Sequence, residues 1–114
     1  MGYDNMLKYK KFGNQFTEYN GRKYHSKKEA RYARELDLLR FCKDPSLRVV
    51  NVETQPRFPI AVNGRLICTY VADFRITYAD GRIEVVDVKG FRTDVYKIKK
   101  KLVEAVHNIE IIEK

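Results

Sequence analysis

Residues 70–89 read YVADFRITYADGRIEVVDVK, and this stretch decides the fold. Two runs rich in β-branched and aromatic residues flank the turn residues Ala79-Asp80-Gly81, which predicts an antiparallel hairpin. A three-residue loop with its glycine in the left-handed conformation places Asp73 directly opposite Asp87. A two-residue loop would instead put a carboxylate on the same face as Phe74, where it is costly to bury. We therefore predict the three-residue loop, which pairs Thr77 with Ile83, Arg75 with Val85 and Val71 with Lys89.

This register sorts the side chains of the hairpin onto two faces. One face carries Asp73, Asp87 and Lys89. The opposite face is apolar apart from Glu84, and its other members are Ala72, Phe74, Ile76, Tyr78, Val86 and Val88. The first face thus holds two carboxylates whose Cβ atoms are about 4.5–5.5 Å apart, and like charges so close together are destabilising.

A divalent cation would remove the repulsion between Asp73 and Asp87. Mg²⁺ prefers oxygen ligands and typically takes one or two carboxylates together with waters and substrate phosphates. Lys89 would then help to activate the attacking water or balance the charge of a phosphate. The pattern leaves one alternative open, in which both aspartates are surface residues of a half-solvated sheet and Lys89 is their ion-pair partner.

A capping box precedes this hairpin in the chain, at Ser26-Lys27-Lys28-Glu29. It predicts a helix over residues 27–43, which Pro45 ends. At 100° per residue, Glu29 falls at the edge of the stripe that this helix would bury. Glu29 therefore either completes the site beside Asp73 or serves only the capping box, and its place on the buried stripe favours the site.

The remaining elements follow from turn signals and from periodicity. Asn20-Gly21 and Asn63-Gly64 each predict a two-residue hairpin turn. The predicted elements are a hairpin over residues 16–24, strands over 48–53, 58–62, 65–78 and 82–89, a helix over about 93–107 and a strand over 109–112. The inner face of the second helix is predicted to carry Val95, Ile98, Leu102, Ala105 and Val106. This order predicts an α+β fold with a mixed central sheet flanked by helices.

The length and composition of the chain exclude several classes of protein. Its 114 residues suffice for one domain, and we expect a basic arm over residues 1–15 and a single domain over 16–114. At 44% hydrophobic, with charges of both signs, the chain is not a disordered protein. No apolar run is long enough for a membrane span or a secretory signal. Two cysteines are too few for a disulfide framework, which indicates a reduced, cytoplasmic protein.

The charge of the chain points to nucleic acid. Lys and Arg number 23 against 15 Asp and Glu, which leaves a net charge of +8. A small basic domain can neutralise phosphates and release counterions, and this supplies affinity that is independent of base sequence. We therefore expect nucleic acid as the partner.

Taken together, the order of elements and of carboxylates resembles the PD-(D/E)xK nuclease superfamily. Glu29 lies on the first helix, Asp73 on one strand and Asp87-Val88-Lys89 on the next, followed by a helix and a final strand. From about Thr17 onwards the chain also resembles a phage and prophage family, long catalogued as a domain of unknown function, that is close to the Holliday junction resolvases. The stretches that carry this resemblance are YHSKKEAR (24–31), QPRFP (55–59), YVADF (70–74) and DVKGFRT (87–93).

The resemblance implies a restriction-endonuclease-like αβββαβ core and a Mg²⁺-dependent DNA endonuclease, with Mn²⁺ able to substitute. By the match, Asp73, Asp87 and Glu29 would be catalytic metal ligands and Lys89 the catalytic lysine. Ala72 stands where the superfamily's name has proline, and Asp87 stands where many members have glutamate. The resemblance further implies branched DNA as substrate, a role in phage or prophage DNA recombination inside a bacterial host, a homodimer, and no small-molecule cofactor.

Several polar residues near the predicted site are candidates for contacts to DNA. Gln55 would face the site or only anchor a loop, and the lysines of the second helix would clamp phosphates or only form a solvated face. The candidates are Lys27, Lys28, Gln55, Arg57, Arg92, Lys97 and Lys101. A rival hypothesis keeps the basic charge without the metal: a non-catalytic nucleic-acid-binding module on a nuclease scaffold.

Overall fold

The computed structural model describes residues 17–88 and 90–114, so Lys89 and the predicted basic arm over residues 1–15 lie outside the described residues. The helices are α1 (Lys27–Leu39) and α2 (Asp94–His107). The strands are β1 (Thr17–Tyr19), β2 (Arg22–Tyr24), β3 (Val49–Thr54), β4 (Arg57–Val62), β5 (Arg65–Val71), β6 (Phe74–Tyr78), β7 (Ile83–Asp87) and β8 (Ile111–Glu113). Over the described ranges, neither helix is long and apolar enough to cross a membrane.

The central sheet is mixed and has the strand order β3-β6-β7-β8. Its first three strands are antiparallel neighbours, and β8 runs parallel to β7. One buried cluster includes Ala33 and Leu36 of α1 together with Phe74, Ile76 and Val86 of the sheet. A second cluster contains residues of α2, β4, β5, β7 and β8, namely Val103, Phe58, Ile60, Tyr70, Val85 and Ile111 with the neighbouring Ala72. The α+β class predicted from the sequence is confirmed.

The register predicted for the β6–β7 hairpin is confirmed. Thr77 pairs with Ile83 and Arg75 pairs with Val85. Gly81 has a φ of +93°, and its N–H donates to the Tyr78 carbonyl at 2.9 Å. The glycine therefore takes the left-handed position that a three-residue loop requires, because a side chain disfavours that conformation.

The two Asn-Gly turns also form as predicted. Asn20 and Gly21 have φ values of +54° and +78°, and Asn63 and Gly64 have values of +52° and +75°. Both pairs connect antiparallel strands through two-residue loops. Positive φ at both positions is the requirement of a type I′ turn, whose twist matches that of the strands it joins.

The strand predicted over residues 65–78 is broken, which corrects the sequence-based assignment. β5 ends at Val71 and β6 begins at Phe74. The facing strands β3 and β4 are separated at the same level. There the Gln55 N–H donates to the Asp73 carbonyl at 2.9 Å, and the Ala72 N–H donates to the Pro56 carbonyl at 3.1 Å. The β3–β6 and β4–β5 pairs thus form one long ribbon, kinked between Gln55-Pro56 and Ala72-Asp73 with its register kept.

The kink gives the two halves of the ribbon different helix partners. Phe74 packs in the cluster with α1, whereas Ala72 and Tyr70 pack in the cluster with α2. Ala72 is therefore not on the same apolar face as Phe74, contrary to the prediction. A single flat strand would have kept both residues on one face, because their separation is an even number of residues.

Helix α1 ends at Leu39, four residues before the predicted end. Arg40 N–H donates to the carbonyl of Asp37 at 3.2 Å, and Cys42 N–H donates to that of Leu39 at 3.1 Å, so the chain tightens after the helix. Asp44 then accepts hydrogen bonds from the N–H and the hydroxyl of Ser46. This side chain closes a local turn that competes with helix before Pro45 is reached.

Apart from Leu102, helix α2 presents a different face from the one predicted. Val95 is 65% exposed, Ile98 is 60% exposed, and Ala105 and Val106 are exposed as well. The residue that α2 buries is Val103, flanked by Tyr96 and Leu102. The buried stripe also uses His107, whose Nε2 donates to the Pro59 carbonyl at 2.6 Å. Hydropathy alone selected the wrong stripe because side chains with polar tips cover much of this contact.

We expect Gly81→Ala to lower the free energy of unfolding by about 1–2 kcal/mol. The glycine has a φ of +93°, and an added Cβ would meet no atom within 4 Å, so the cost is conformational. Gly90→Ala is the matched control, because Gly90 also has open space around its Cα but no such positive φ. Urea unfolding of both variants checks the difference, and equal midpoints would contradict it.

Candidate active site

The kink in the ribbon opens a pocket in which three of the predicted site residues meet. The pocket has a volume of about 110 Å³, and Glu29, Gln55 and Asp73 line it. These residues come from α1, from the kink between β3 and β4, and from the kink between β5 and β6. We call it the acidic pocket. Two carboxylates and an amide that are distant in the chain are thus brought to one place.

Glu29 is held at the first turn of α1. Its N–H donates to the Ser26 Oγ at 3.0 Å, and its Oε1 accepts from the His25 N–H at 3.0 Å. The Ser26 half of the predicted capping box is thus present, whereas the Glu29 side chain reaches one residue further back than a capping box requires, to His25. Because the side chain is only 6% exposed and also lines the acidic pocket, Glu29 caps its helix and belongs to the pocket at once.

Asp73 occupies the kink itself and is fixed by its neighbours on β7. Its N–H donates to the Val86 carbonyl at 3.1 Å, and its Oδ2 accepts from the Val88 N–H at 2.7 Å. Its second carboxylate oxygen, Oδ1, accepts no hydrogen bond from any residue in the described ranges 17–88 and 90–114. The half-buried side chain therefore offers an oxygen ligand from a backbone that is held on both sides.

Asp87 is brought against Asp73 but lies behind the pocket lining. Its side chain is fully buried, and its Oδ1 accepts from the Asp73 N–H at 3.1 Å. Its Oδ2 accepts from the hydroxyl of Tyr70. A buried carboxylate needs such donors, because an unsatisfied one is costly in the interior. Asp87 therefore orients the backbone that carries Asp73.

Gln55 stands out for its backbone conformation. Its φ is +53°, although it is not glycine and it precedes Pro56. A residue before proline normally prefers extended backbone, so this conformation is strained. The hydrogen bond from the Gln55 N–H to the Asp73 carbonyl helps to hold it in place. Strained residues of this kind are concentrated at functional sites.

The sequence reasoning missed the basic rim of the acidic pocket. Arg22 and Lys23 of β2 line it together with Tyr24 and Thr54. Their signal was local: both residues lie between the Asn20-Gly21 turn and the capping box that begins α1. The hairpin carries two cations to the entrance of a pocket that contains two carboxylates. The sequence reasoning also missed Tyr70, because its hydrogen-bond partner Asp87 is distant in the chain.

The other predicted DNA contacts are not among the residues that line the acidic pocket. Lys27, Lys28, Arg57, Lys97 and Lys101 are exposed, and none of them lines the acidic pocket. Arg92 is 53% exposed and forms an ion pair with Glu113, Nε to Oε1, at 3.0 Å. The Tyr96 hydroxyl donates to the same carboxyl, and these two partners lower the pKa of Glu113. The Arg92 guanidinium is thus already paired with an acidic side chain.

The donor set of the acidic pocket suits a hard cation better than a zinc-type site. Within the described ranges, no three His, Cys, Asp or Glu side chains form a group that could hold a metal ion. Two carboxylates, those of Glu29 and Asp73, do line one pocket, together with the Gln55 amide. One or two carboxylates with waters and phosphate oxygens are the usual protein ligands of Mg²⁺. Glu29 and Asp73 are therefore oxygen donors of the kind that Mg²⁺ prefers.

We expect Tyr70→Phe to lower the free energy of unfolding by about 1.5–3 kcal/mol, because a hydrogen bond to a buried charged group is lost. The change keeps the ring that packs against Tyr96 at 6.3 Å between centroids. Tyr19→Phe is the control, since it removes a hydroxyl that donates to the partly exposed Asp37. Urea unfolding measures both, and a loss no larger for Tyr70→Phe than for the control would contradict the expectation.

The chain was compared with known proteins in three ways. A family model described as "Protein of unknown function (DUF1064)" matches residues 8–111. The comparisons with curated proteins and with solved structures found no significant match. The matched range contains both helices and all the residues that line the acidic pocket.

Proposed function

This chain belongs to the DUF1064 family, whose description names no activity, and from its geometry we propose a metal-dependent DNA endonuclease that hydrolyses phosphodiester bonds. One observation carries the proposal: Glu29, Asp73 and Gln55 line a single pocket, and the cations Arg22 and Lys23 lie on its rim. Carboxylates that hold Mg²⁺ beside basic groups that hold phosphate are suited to metal-dependent phosphodiester hydrolysis.

Each residue near the pocket has a role in this proposal. Glu29 and Asp73 would hold Mg²⁺, which when bound polarises a phosphoryl oxygen and lowers the pKa of water. Asp87, which the resemblance implies as a further ligand, is buried with both carboxylate oxygens hydrogen-bonded, so in this proposal it keeps the Asp73 backbone in place. Lys89, the residue two positions after Asp87, would stabilise negative charge on the phosphate. Arg22 and Lys23 would hold the DNA backbone.

The substrate and the assembly follow from the resemblance and from the charge. Branched DNA, as for a Holliday junction resolvase, is the proposed substrate, and phage or prophage recombination the proposed process in the bacterial cytoplasm. A net charge of +8 supplies affinity for the phosphate backbone, so recognition would follow DNA shape more than base sequence. Cutting two strands symmetrically requires two active sites, and a homodimer provides them.

The rival function, a non-catalytic nucleic-acid-binding module, is favoured by one specific observation. Asp87 is fully buried, and both of its carboxylate oxygens accept hydrogen bonds. A carboxylate in that state serves the structure of the hairpin without any metal. Binding that weakens with salt is expected for both functions, so only metal uptake and cleavage separate them.

The test is cleavage of three end-labelled DNAs in Mg²⁺: a four-way junction, a linear duplex and a single strand. We expect the junction to be cut and the other two to be spared. Cutting of all three at equal rates would support a nuclease without selectivity for branches. Binding of the DNAs without cutting any of them would overturn the proposal in favour of the rival module.

Two controls connect the cleavage to the proposed site. Ca²⁺ in place of Mg²⁺ should permit binding and suppress cleavage, since the two ions differ in size and in preferred ligand geometry. Lys89→Ala should also suppress cleavage, because the charge on the phosphate then lacks its cation. Cleavage that persists at the original rate in Lys89→Ala would contradict the assignment of the lysine.

A further inference from the structure

A second pocket adjoins the acidic pocket and shares three residues with it. It has a volume of about 170 Å³ and lies between the β1–β2 hairpin, α1 and the sheet. The shared residues are Arg22, Tyr24 and Thr54. We call it the aromatic pocket. Whatever occupies one pocket lies directly beside the occupant of the other.

The lining of the aromatic pocket combines polar side chains with apolar ones. Ala33, Leu36 and Phe74 form part of its lining, and each of them is buried in the core. Tyr19 and Tyr24 add two aromatic rings, and the Tyr24 ring lies 6.2 Å from that of Phe74, centroid to centroid. Tyr24 and Phe74 are buried, so among these rings the partly buried Tyr19 has surface on which a nucleic-acid base can stack.

The rim of the aromatic pocket carries groups that can read the edge of a base. Asp37 accepts from the Tyr19 hydroxyl at 2.8 Å and pairs with Arg40 at 3.4 Å. A carboxylate has about four acceptor positions, so it can take a further donor. The amide of Asn20 and the guanidinium of Arg22 also line the pocket. Polar groups beside an aromatic ring can orient a small planar ligand by hydrogen bonds.

We propose that the aromatic pocket binds an unpaired base of the DNA strand whose phosphate lies in the acidic pocket. The two pockets are neighbours because Arg22, Tyr24 and Thr54 line both of them, and Arg22 supplies a cation that is common to both. An unpaired base enters such a pocket at low cost, whereas a paired base must first be unstacked. This inference rests on the proposed DNA binding and names its substrate class: DNA with an extrahelical base.

The Asp37 carboxylate would make the pocket bind one kind of base more tightly than another. Acidic side chains accept hydrogen bonds from the exocyclic amino group of cytosine, which thymine lacks. An unpaired cytosine is therefore expected to bind more tightly than an unpaired thymine. Asp37→Asn should reduce this difference, because the amide replaces one acceptor with a donor.

The test measures binding, in Ca²⁺, of the full chain to labelled duplexes that are either fully paired or carry one unpaired cytosine. We expect the duplex with the unpaired base to bind about tenfold more tightly, as one stacked base provides. Tyr19→Ala should remove this preference, whereas Tyr19→Phe, which keeps the ring, should retain it. Phe41→Ala is a matched control on an 85% exposed aromatic ring outside the pocket.

The outcomes separate this inference from the proposed function. Equal binding of the two duplexes, or a preference that survives Tyr19→Ala, overturns the base site but leaves cleavage in Mg²⁺ unaffected. A preference for the unpaired base without cleavage supports the base site and overturns the nuclease. In the last arm of the test, a mixture of the four deoxynucleoside monophosphates competes with the DNA. If the mixture displaces the DNA at equal concentration, the pocket is a site for free nucleotides, and the proposal is overturned.

Discussion

Asp73→Asn is expected to lower the rate of DNA cleavage by about a thousandfold or more, the effect of losing roughly 4 kcal/mol of transition-state stabilisation. The carboxylate lines the acidic pocket, and the change removes its negative charge. An amide holds Mg²⁺ far less well than a carboxylate, because a hard divalent cation prefers charged oxygen. The loss should appear in the rate and not in the affinity for DNA.

The substitution is designed to leave the fold intact. The Asp73 Oδ2 accepts from the Val88 N–H at 2.7 Å, and the oxygen of an asparagine side chain can accept the same hydrogen bond. The kink and the β6–β7 hairpin should therefore be kept. Urea unfolding and DNA binding in Ca²⁺ should both be close to those of the original chain.

Glu53→Gln is the matched control for Asp73→Asn. It makes the same chemical change on the neighbouring strand, at an exposed carboxylate that pairs with Arg75 at 2.6 Å and lies outside the acidic pocket. A surface ion pair of this kind contributes at most about 1 kcal/mol. Calorimetric titration with Mn²⁺ should show heat for the control and none for Asp73→Asn. Cleavage at the original rate in Asp73→Asn would contradict the assignment of the site.

Phe74→Ala is expected to lower the free energy of unfolding by about 3–5 kcal/mol. The side chain is 1% exposed, and its ring lies 5.5 Å from that of Tyr32 and 6.2 Å from that of Tyr24. Removing it leaves a cavity between α1 and the central sheet. The loss is a large part of the roughly 5–15 kcal/mol that stabilises a domain, so a considerable fraction of the variant should unfold on mild heating.

Phe41→Ala provides the comparison, since it makes the same substitution at a ring that is 85% exposed. We expect this variant to differ from the original chain by no more than about 0.5 kcal/mol. Urea unfolding gives the two midpoints, and the slope of each transition reports whether the two-state description still applies. Similar midpoints for both variants would contradict the place of Phe74 at the centre of the first cluster.

Much of the local structure could be predicted from the chain. The left-handed Gly81, the Asn20-Gly21 turn and the Ser26 cap of α1 all form as their residue types require. Each of these features depends on backbone preferences and hydrogen bonds between residues a few positions apart. The register of the β6–β7 hairpin followed from the turn and from the apolar face, and it placed Asp73 against Asp87.

The face of α2 could not be predicted in this way. Two stripes of the helix carry apolar residues, and the one with Val95 and Ile98 has the higher hydropathy. The structure buries the stripe with Val103, because Tyr96 and His107 reach polar partners beyond the apolar contact. A hydropathy value counts the polar tip of such a side chain but not the hydrogen-bond partner of that tip. The helix face with the lower hydropathy was therefore overlooked.

Local sequence was thus sufficient for the turns, the helix starts, the pairing of β6 with β7 and the basic charge, since each depends on residues that are near in the chain or on composition. The acidic pocket required the tertiary structure. It exists because the ribbon is kinked between Gln55-Pro56 and Ala72-Asp73, and because α1 brings Glu29 to that kink. Such an arrangement depends on packing between elements distant in the chain, which no local preference encodes.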